Sequence, residues 1–346
     1  MHGMSRSHSA AENVPERSAF AHAALHADAD MRRVLDARAR LQPKRIENCT
    51  VIEARRQPLL IDAVKLIAGA RGLNGRAPKL SVLGGSVPGG AGELPARWYV
   101  PAGSGPFPLI VYFPGGGWVT AGLDAGDGSA RGLALAAQAI VVAIDYRKAP
   151  EAKFPAAWDD ARSAWVWLLQ HAGAQGADVS RAALAGEGAG GCLALATAID
   201  ARALGLPPPA HILSVYPFAQ VISLGTPSYI EHALAEPLNR PTVLWCLDKL
   251  LRSEQDRFDP RLDLLRADLA GLPPVTIVNA MIDPLRSDGA MLEAALRDAG
   301  VEVERRNFDG VTHELFGAAA VVEKARRAQE FAAERLRRAF DAAPRA

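Results

Sequence analysis

Ser180-Arg-Ala-Ala-Leu-Ala-Gly-Glu-Gly-Ala-Gly-Gly191 runs from an apolar stretch into a cluster of small residues and then into a helical pattern over residues 190–203. That order reads as strand, sharp turn, helix. Gly186 and Gly190 flank the tip of the turn, where a side chain would clash with the tightly folded backbone. Outward from this stretch, further apolar runs lie at residues 108–113, 140–145, 211–216 and 275–279. Helical patterns near residues 130–137, 157–171 and 287–299 alternate with them. Continuous rather than alternating apolar strands imply a sheet covered on both faces, as in parallel sheets built from right-handed crossovers. The expected fold class is therefore α/β, doubly wound. Extended segments at 79–83 and 96–100 precede this series, and a strand at 301–308 with a long helix at 318–340 follows it. On that last helix Val321, Ala325, Ala328, Ala332, Leu336 and Phe340 trace one apolar stripe.

The 346 residues carry 39 Lys+Arg against 38 Asp+Glu, a formal charge of +1. So even a balance removes the electrostatic case for nucleic acid or an anionic membrane surface as a partner. A hydrophobic fraction of 49% with 22% charged residues is that of a folded globular chain. The longest apolar stretch, residues 132–144, is shorter than the roughly 20 residues a bilayer span needs. With no secretory leader pattern at the N-terminus, the expected location is cytoplasmic. Cys49, Cys192 and Cys246 are scattered and have no His ligands nearby in sequence, so neither a disulfide framework nor a zinc site is signalled. His2, His8, His22 and His26 lie in an Ala- and Ser-rich stretch, residues 1–30, that reads as a mobile arm rather than a metal tract. Helices over 31–75 and a Pro-punctuated insertion at 218–264 are expected to form a cap on a core of residues 76–217 and 265–346.

In wound sheets, ligands bind beyond the C-terminal ends of the strands, so strand-to-helix junctions are where chemistry is expected. Tyr112-Phe-Pro-Gly-Gly-Gly-Trp118 closes one strand with three glycines that let backbone N–H groups approach a ligand. Asp283-Pro-Leu-Arg-Ser-Asp-Gly289 and Gly310-Val-Thr-His-Glu-Leu-Phe-Gly317 follow two later strands. The order elbow, acid, histidine is that of a nucleophile–His–acid constellation. Taken singly, Asp283 also suits the cap of a helix beginning near Ser287, and His313 an ordinary loop position.

These motifs, together with Asp145-Tyr-Arg-Lys-Ala-Pro-Glu151, Phe154-Pro-Ala-Ala157 and Pro227-Ser-Tyr-Ile-Glu-His232, resemble the hormone-sensitive-lipase-like branch of the α/β-hydrolases. The resemblance extends from about residue 80 to the C-terminus. It implies the α/β-hydrolase fold with a helical cap and a carboxylesterase-like scaffold. It further implies an Asp283–His313 pair, an oxyanion hole from the N–H groups of Gly115, Gly116 and Ala189, and no cofactor. Pro114, Glu187 and Trp118 are expected to contribute to the pocket.

Two positions depart from the family pattern. Where the family's Gly-Asp-Ser-Ala-Gly-Gly elbow has its serine, this chain has Gly188, preceded by Glu187; where its His-Gly-Gly-Gly loop has histidine, this chain has Pro114. A registry shift that put Glu187 at the tip would fit the strand less well, and Cys192 reads as a small buried residue. The expectation is a hydrolase scaffold with a remnant triad and no ordinary serine-esterase turnover, binding a small ester- or carboxylate-like ligand. Hormone receptors and dehydratases that resemble this family make two alternatives concrete: recognition without chemistry, and elimination, cyclisation or direct water attack with His313 as base. A carboxylesterase whose nucleophile was replaced at Gly188 is the third. The sequence leaves a homo-oligomer open.

Overall fold

The computed structural model describes residues 26–72, 80–120 and 122–343. The arm expected at 1–30 therefore lies almost wholly outside the described residues, as do Lys79 and the last residues of the 31–75 segment. The N-terminal helices are α1 (Ala29–Arg40), α2 (Val51–Ala54) and α3 (Leu60–Ala70). The sheet strands are β1 (Leu80–Gly89), β2 (Gly92–Pro101), β3 (Phe107–Phe113), β4 (Ile140–Ile144), β5 (Ala177–Glu187), β6 (His211–Val215), β7 (Val275–Ile282) and β8 (Val303–Thr312). Between them run α4 (Asp127–Ala137), α5 (Ala156–His171), α6 (Ala189–Ala203), α7 (Pro227–Glu231), α8 (Arg240–Leu250) and α9 (Arg286–Asp298), and α10 (Glu323–Ala342) ends the described chain.

All eight strands form one sheet in the order β1-β2-β4-β3-β5-β6-β7-β8. From β4 to β8 every pairing is parallel, while β1–β2 and β2–β4 are antiparallel. The continuous apolar runs have the predicted cause. In β3, Leu109, Val111 and Phe113 pack into the layer containing α5, α6 and α9, and Ile110 and Tyr112 into the opposite layer with α3, α4 and α10. Each face is covered, so both side-chain sets of one strand are apolar.

Several boundaries differ from the sequence expectation, those of β1, β5 and the last helix most. β1 extends to Gly89 rather than stopping near residue 83 and pairs along its length, from Leu80↔Pro101 to Gly89↔Gly92. The Gly and Pro residues that read as a loop are accommodated because β1 is an edge strand, where lost ladder bonds and small side chains cost least. β5 starts at Ala177, before the apolar core of residues 182–185, with a register shift opposite Pro108/Leu109. The last helix begins at Glu323, because Val322 is extended (φ −118°, ψ 121°) and Leu315–Ala318 form a separate 3₁₀ turn. Its stripe packs as expected, with Ala325, Ala328, Ala332, Leu336 and Phe340 buried against the sheet layer.

The topology directs β3, β5, β7 and β8 to deliver their C-terminal ends to the same side. Over that side lie α1–α3 from the N-terminal segment and α7–α8 from the excursion between β6 and β7.

Candidate active site

β5 ends and α6 begins at a turn that only a few residue types could make. A Cβ on Gly186 would sit 2.1 Å from the Gly190 carbonyl oxygen, and one on Gly190 would sit 1.9 Å from the Phe113 oxygen. Both obstacles are backbone, so neither position tolerates a side chain. Gly188 differs. It holds the left-handed conformation φ 52°, ψ −113°, but a Cβ there would meet only His313, at 3.6 Å from Nε2 and 3.8 Å from Cε1. The tip is pinned by its own backbone: Gly188 N–H donates to Val215 O (2.9 Å), and its oxygen accepts from Phe218 N–H (3.3 Å) and Cys192 N–H (3.3 Å).

The loops after β7 and β8 place an acid and a base beside this turn. His313 Nδ1 lies 2.8 Å from Asp283 Oδ2, and the two side chains are 11% and 0% exposed. Asp283 Oδ2 accepts a hydrogen bond from the Nδ1–H, which leaves Nε2 facing position 188. Burial pushes the imidazolium down, yet the Asp283 carboxylate outweighs it and raises His313 above the ordinary 6.5. Asp283 Oδ1 meanwhile accepts from Leu285 N–H (2.8 Å) at the entry to α9. That bond closes an Asx-type turn ahead of the helix, whose N-cap is Leu285 with no side-chain cap, so of the two roles the sequence left open the structure shows the pairing with His313 and not the helix cap.

The third element is the glycine loop after β3. Gly116 and Gly117 have φ of 106° and 59°, and the Gly116 oxygen accepts from Val119 N–H and Thr120 N–H (both 3.0 Å), folding the loop back. No acceptor among the described residues takes the N–H of Gly115, Gly116 or Ala189. Pro114 is buried, and its oxygen accepts from the Tyr146 hydroxyl (2.8 Å), which anchors the loop from below.

Two adjoining cavities meet at these groups. One, of about 70 Å³, is lined by Gly115, Gly116, Tyr112, Glu187, Tyr216 and His313 beneath Leu59, Leu60 and Val64 of the N-terminal segment. The other, of about 80 Å³, takes in Gly116, Gly188, Ala189 and His313, with Leu238, Val243 and Cys246 from the excursion between β6 and β7. Each volume is about half of the roughly 150 Å³ that holds a benzene molecule in an engineered apolar cavity.

Glu187 faces the first cavity. Its carboxyl oxygens accept from the hydroxyls of Tyr112 and Tyr216, and burial raises its pKa against the lowering effect of those donors. The Tyr216 ring tilts against the His313 imidazole, with centroids 4.3 Å apart. Sequence reading named Glu187 as a pocket contributor but did not single out Tyr216, whose position at the end of β6 carries no spacing signal. It equally missed Glu314, which lines both cavities, and Cys246, whose thiol is pushed up to about 12 by burial.

Trp118 lies elsewhere than expected. It is 1% exposed and packs against Trp158 (5.4 Å, stacked) and Phe218 (5.0 Å) in the core, away from both cavities. Its positive φ of 60° turns it inward as the glycine loop folds back. Pro114 likewise supports the loop without lining either cavity. Cys192 is buried, with Sγ 3.3 Å from the Arg261 oxygen. Among the described residues no His/Cys/Asp/Glu group is arranged to hold a metal, and no helix is long and apolar enough to cross a membrane.

An eight-stranded, mostly parallel sheet with a glycine-flanked turn after β5 and an Asp–His pair on the loops of β7 and β8 has the architecture of the alpha/beta hydrolase fold. The chain belongs to that family, on its esterase/lipase branch: the family pattern matches residues 110–317. The carboxylesterase NlhH of Mycobacterium tuberculosis is 40% identical over 232 residues, covering 66% of this chain and 72% of NlhH. An ethyl acetate hydrolase of Pseudomonas putida is 34% identical over 61% of this chain and 67% of its own length. The solved esterase of Pyrobaculum calidifontis superposes with a TM-score of 0.78 at 30% identity, over 87% of this chain and 97% of that one.

Proposed function

We propose that this protein is a member of the esterase/lipase branch with a degenerate catalytic site, which binds a small ester- or carboxylate-like ligand without acyl-enzyme turnover. The observation that carries this reading is Gly188. Its backbone holds the elbow conformation and a Cβ there would lie 3.6 Å from His313 Nε2, so a hydroxyl on that carbon would fall within reach of the base. Glycine supplies no such atom. In a serine hydrolase dissected by mutagenesis, removing the nucleophile costs about a million-fold in kcat, while binding and the oxyanion donors still retain about a thousand-fold over water. The free N–H groups of Gly115, Gly116 and Ala189, in the role of oxyanion hole, would hold a carbonyl or carboxylate oxygen, and His313 with Asp283 would supply a positive or hydrogen-bonding partner.

The test is a paired assay with a short-chain p-nitrophenyl ester. The unaltered protein is expected at background and Gly188→Ser well above it; esterase activity in the unaltered protein that His313→Ala abolishes would overturn the reading. A second reading draws on Glu187, Tyr112 and Tyr216 sharing a cavity with His313. That many proton-carrying groups around one small space suits elimination, cyclisation or direct water attack with His313 as base.

A further inference from the structure

We infer that Glu314 recognises a positive charge on the ligand, so that the site takes small esters carrying an ammonium group. This rests on the ligand-binding reading above and names the class of ligand. Glu314 directly follows His313 and is half-buried. It lines both inner cavities, the one with Gly115, Glu187 and Tyr216 and the one with Gly188 and Ala189. Its carboxylate makes no hydrogen bond or ion pair with any described residue. The side chain is also held there against a backbone cost. Glu314 is left-handed, with φ 63° and ψ 11°, a conformation that glycine or asparagine adopts more cheaply than glutamate. Strained residues of this kind gather at ligand clamps and active sites.

The other charged groups that line these cavities have partners. His313 pairs with Asp283 (2.8 Å) and Arg38 with Glu236 (2.7 Å), while the hydroxyls of Tyr112 and Tyr216 hold Glu187. Burial raises the Glu187 pKa as well, toward its neutral form. No arginine or lysine is among the described residues that line the first cavity. Glu314 is therefore the acidic group left without a counterion. Its charge acts inward, raising His313, Glu187 and Tyr216, all of which line the first cavity. A carboxylate drawn out of water without a partner is costly, and an ammonium donating to it offsets that cost with a charge-assisted hydrogen bond. The N–H groups of Gly115, Gly116 and Ala189 belong to other walls of the same spaces, so the ester carbonyl and the ammonium would be held by different groups. A free carboxylate on the ligand would instead meet Glu314 with like charge, which narrows the class to esters.

The alternative is that Glu314 only supports the charge on His313 and touches no ligand. Methyl 3-aminopropanoate and methyl butanoate separate the two, because an ammonium replaces a methyl group and nothing else changes. Titrated calorimetrically into the intact protein at pH 7.5, the ammonium ester is expected to bind about tenfold or more tightly than the neutral one, as for a hydrogen bond between charged groups. Glu314→Gln should shrink that preference to within about twofold and leave the affinity for methyl butanoate unchanged. If Glu314→Gln fails to fold, Glu314→Asn, which suits the left-handed backbone, must give the same result. Equal affinities in the unaltered protein, tighter binding of the neutral ester, or a preference that survives removal of the carboxylate would overturn the inference. Failure of both esters to bind removes the ligand-binding reading as well, whereas a neutral ester that binds as tightly as the ammonium ester removes only the role of Glu314.

Discussion

Two regions converge on the candidate site and are built on opposite terms. The loops after β7 and β8 contribute side chains: buried Asp283 and half-buried His313, paired at 2.8 Å, with Asp283 oriented by a second bond from the Leu285 N–H. The turn after β5 contributes only backbone. Its glycines hold a conformation that places nothing but a Cα at the point opposite Nε2, and the bonds from Val215 and Phe218 keep it there. One half of the candidate site is thus made of side chains and the other of backbone shape alone. A strained turn is normally maintained because a function needs it; here glycine relieves the strain, since φ 52° costs it nothing, while the flanking glycines still enforce the geometry.

The strongest way to break this contrast is to return a side chain to the turn. Gly188→Ser is expected to raise p-nitrophenyl acetate hydrolysis at least about a thousand-fold above the unaltered protein, read from initial rates, since the nucleophile accounts for roughly a million-fold elsewhere. A flat result would mean that the backbone half is not poised after all. Within that variant, Asp283→Asn should lower kcat by about a thousand-fold or more, because loss of the acid permits the wrong imidazole tautomer. The double variant at background rate with a circular dichroism spectrum like that of Gly188→Ser is the outcome that assigns the effect to the pair.

Next in size is a stability comparison inside the turn itself. Gly190→Ala drives a Cβ into the Phe113 backbone at 1.9 Å and should cost about 3 kcal/mol or more, whereas Gly188→Ala adds only left-handed strain of about 1–2 kcal/mol. Chemical denaturation of the two variants checks the ratio, and equal losses would contradict the steric asymmetry. The smallest effect is in pH. His313 is raised above 6.5 in the folded state, so its charged pairing with Asp283 stabilises the protein fully below about 6.5 and fades as pH climbs through the higher folded value. The stability gap between the unaltered protein and His313→Ala should narrow accordingly on moving from pH 6 to pH 9. In Gly188→Ser the same proton must leave before His313 can act as base, placing the acid limb of kcat/KM above 6.5.

Much of this molecule was legible in the chain. The apolar runs at β3, β4, β6 and β7 and the order of the three motifs led to the parallel sheet and to Asp283, His313 and Gly188, because burial on two faces and tight turns leave local marks in composition. β1 was read short because edge strands tolerate glycine and proline, which makes them resemble loops. Trp118 was misplaced because a residue beside a functional motif has no local sign telling which way it turns.

What the sequence by itself determined is the scaffold and that position 188 is glycine: periodicity and turn chemistry are short-range, and a glycine is a glycine before the chain folds. Only the tertiary structure decided that Glu187 sits between Tyr112 and Tyr216 inside a cavity, and that Arg38, from a helix far along the chain, lines the same space as Gly188. Those relations depend on how α1, α8 and the sheet pack together, and packing across such separations leaves no periodic trace in the residues that carry it.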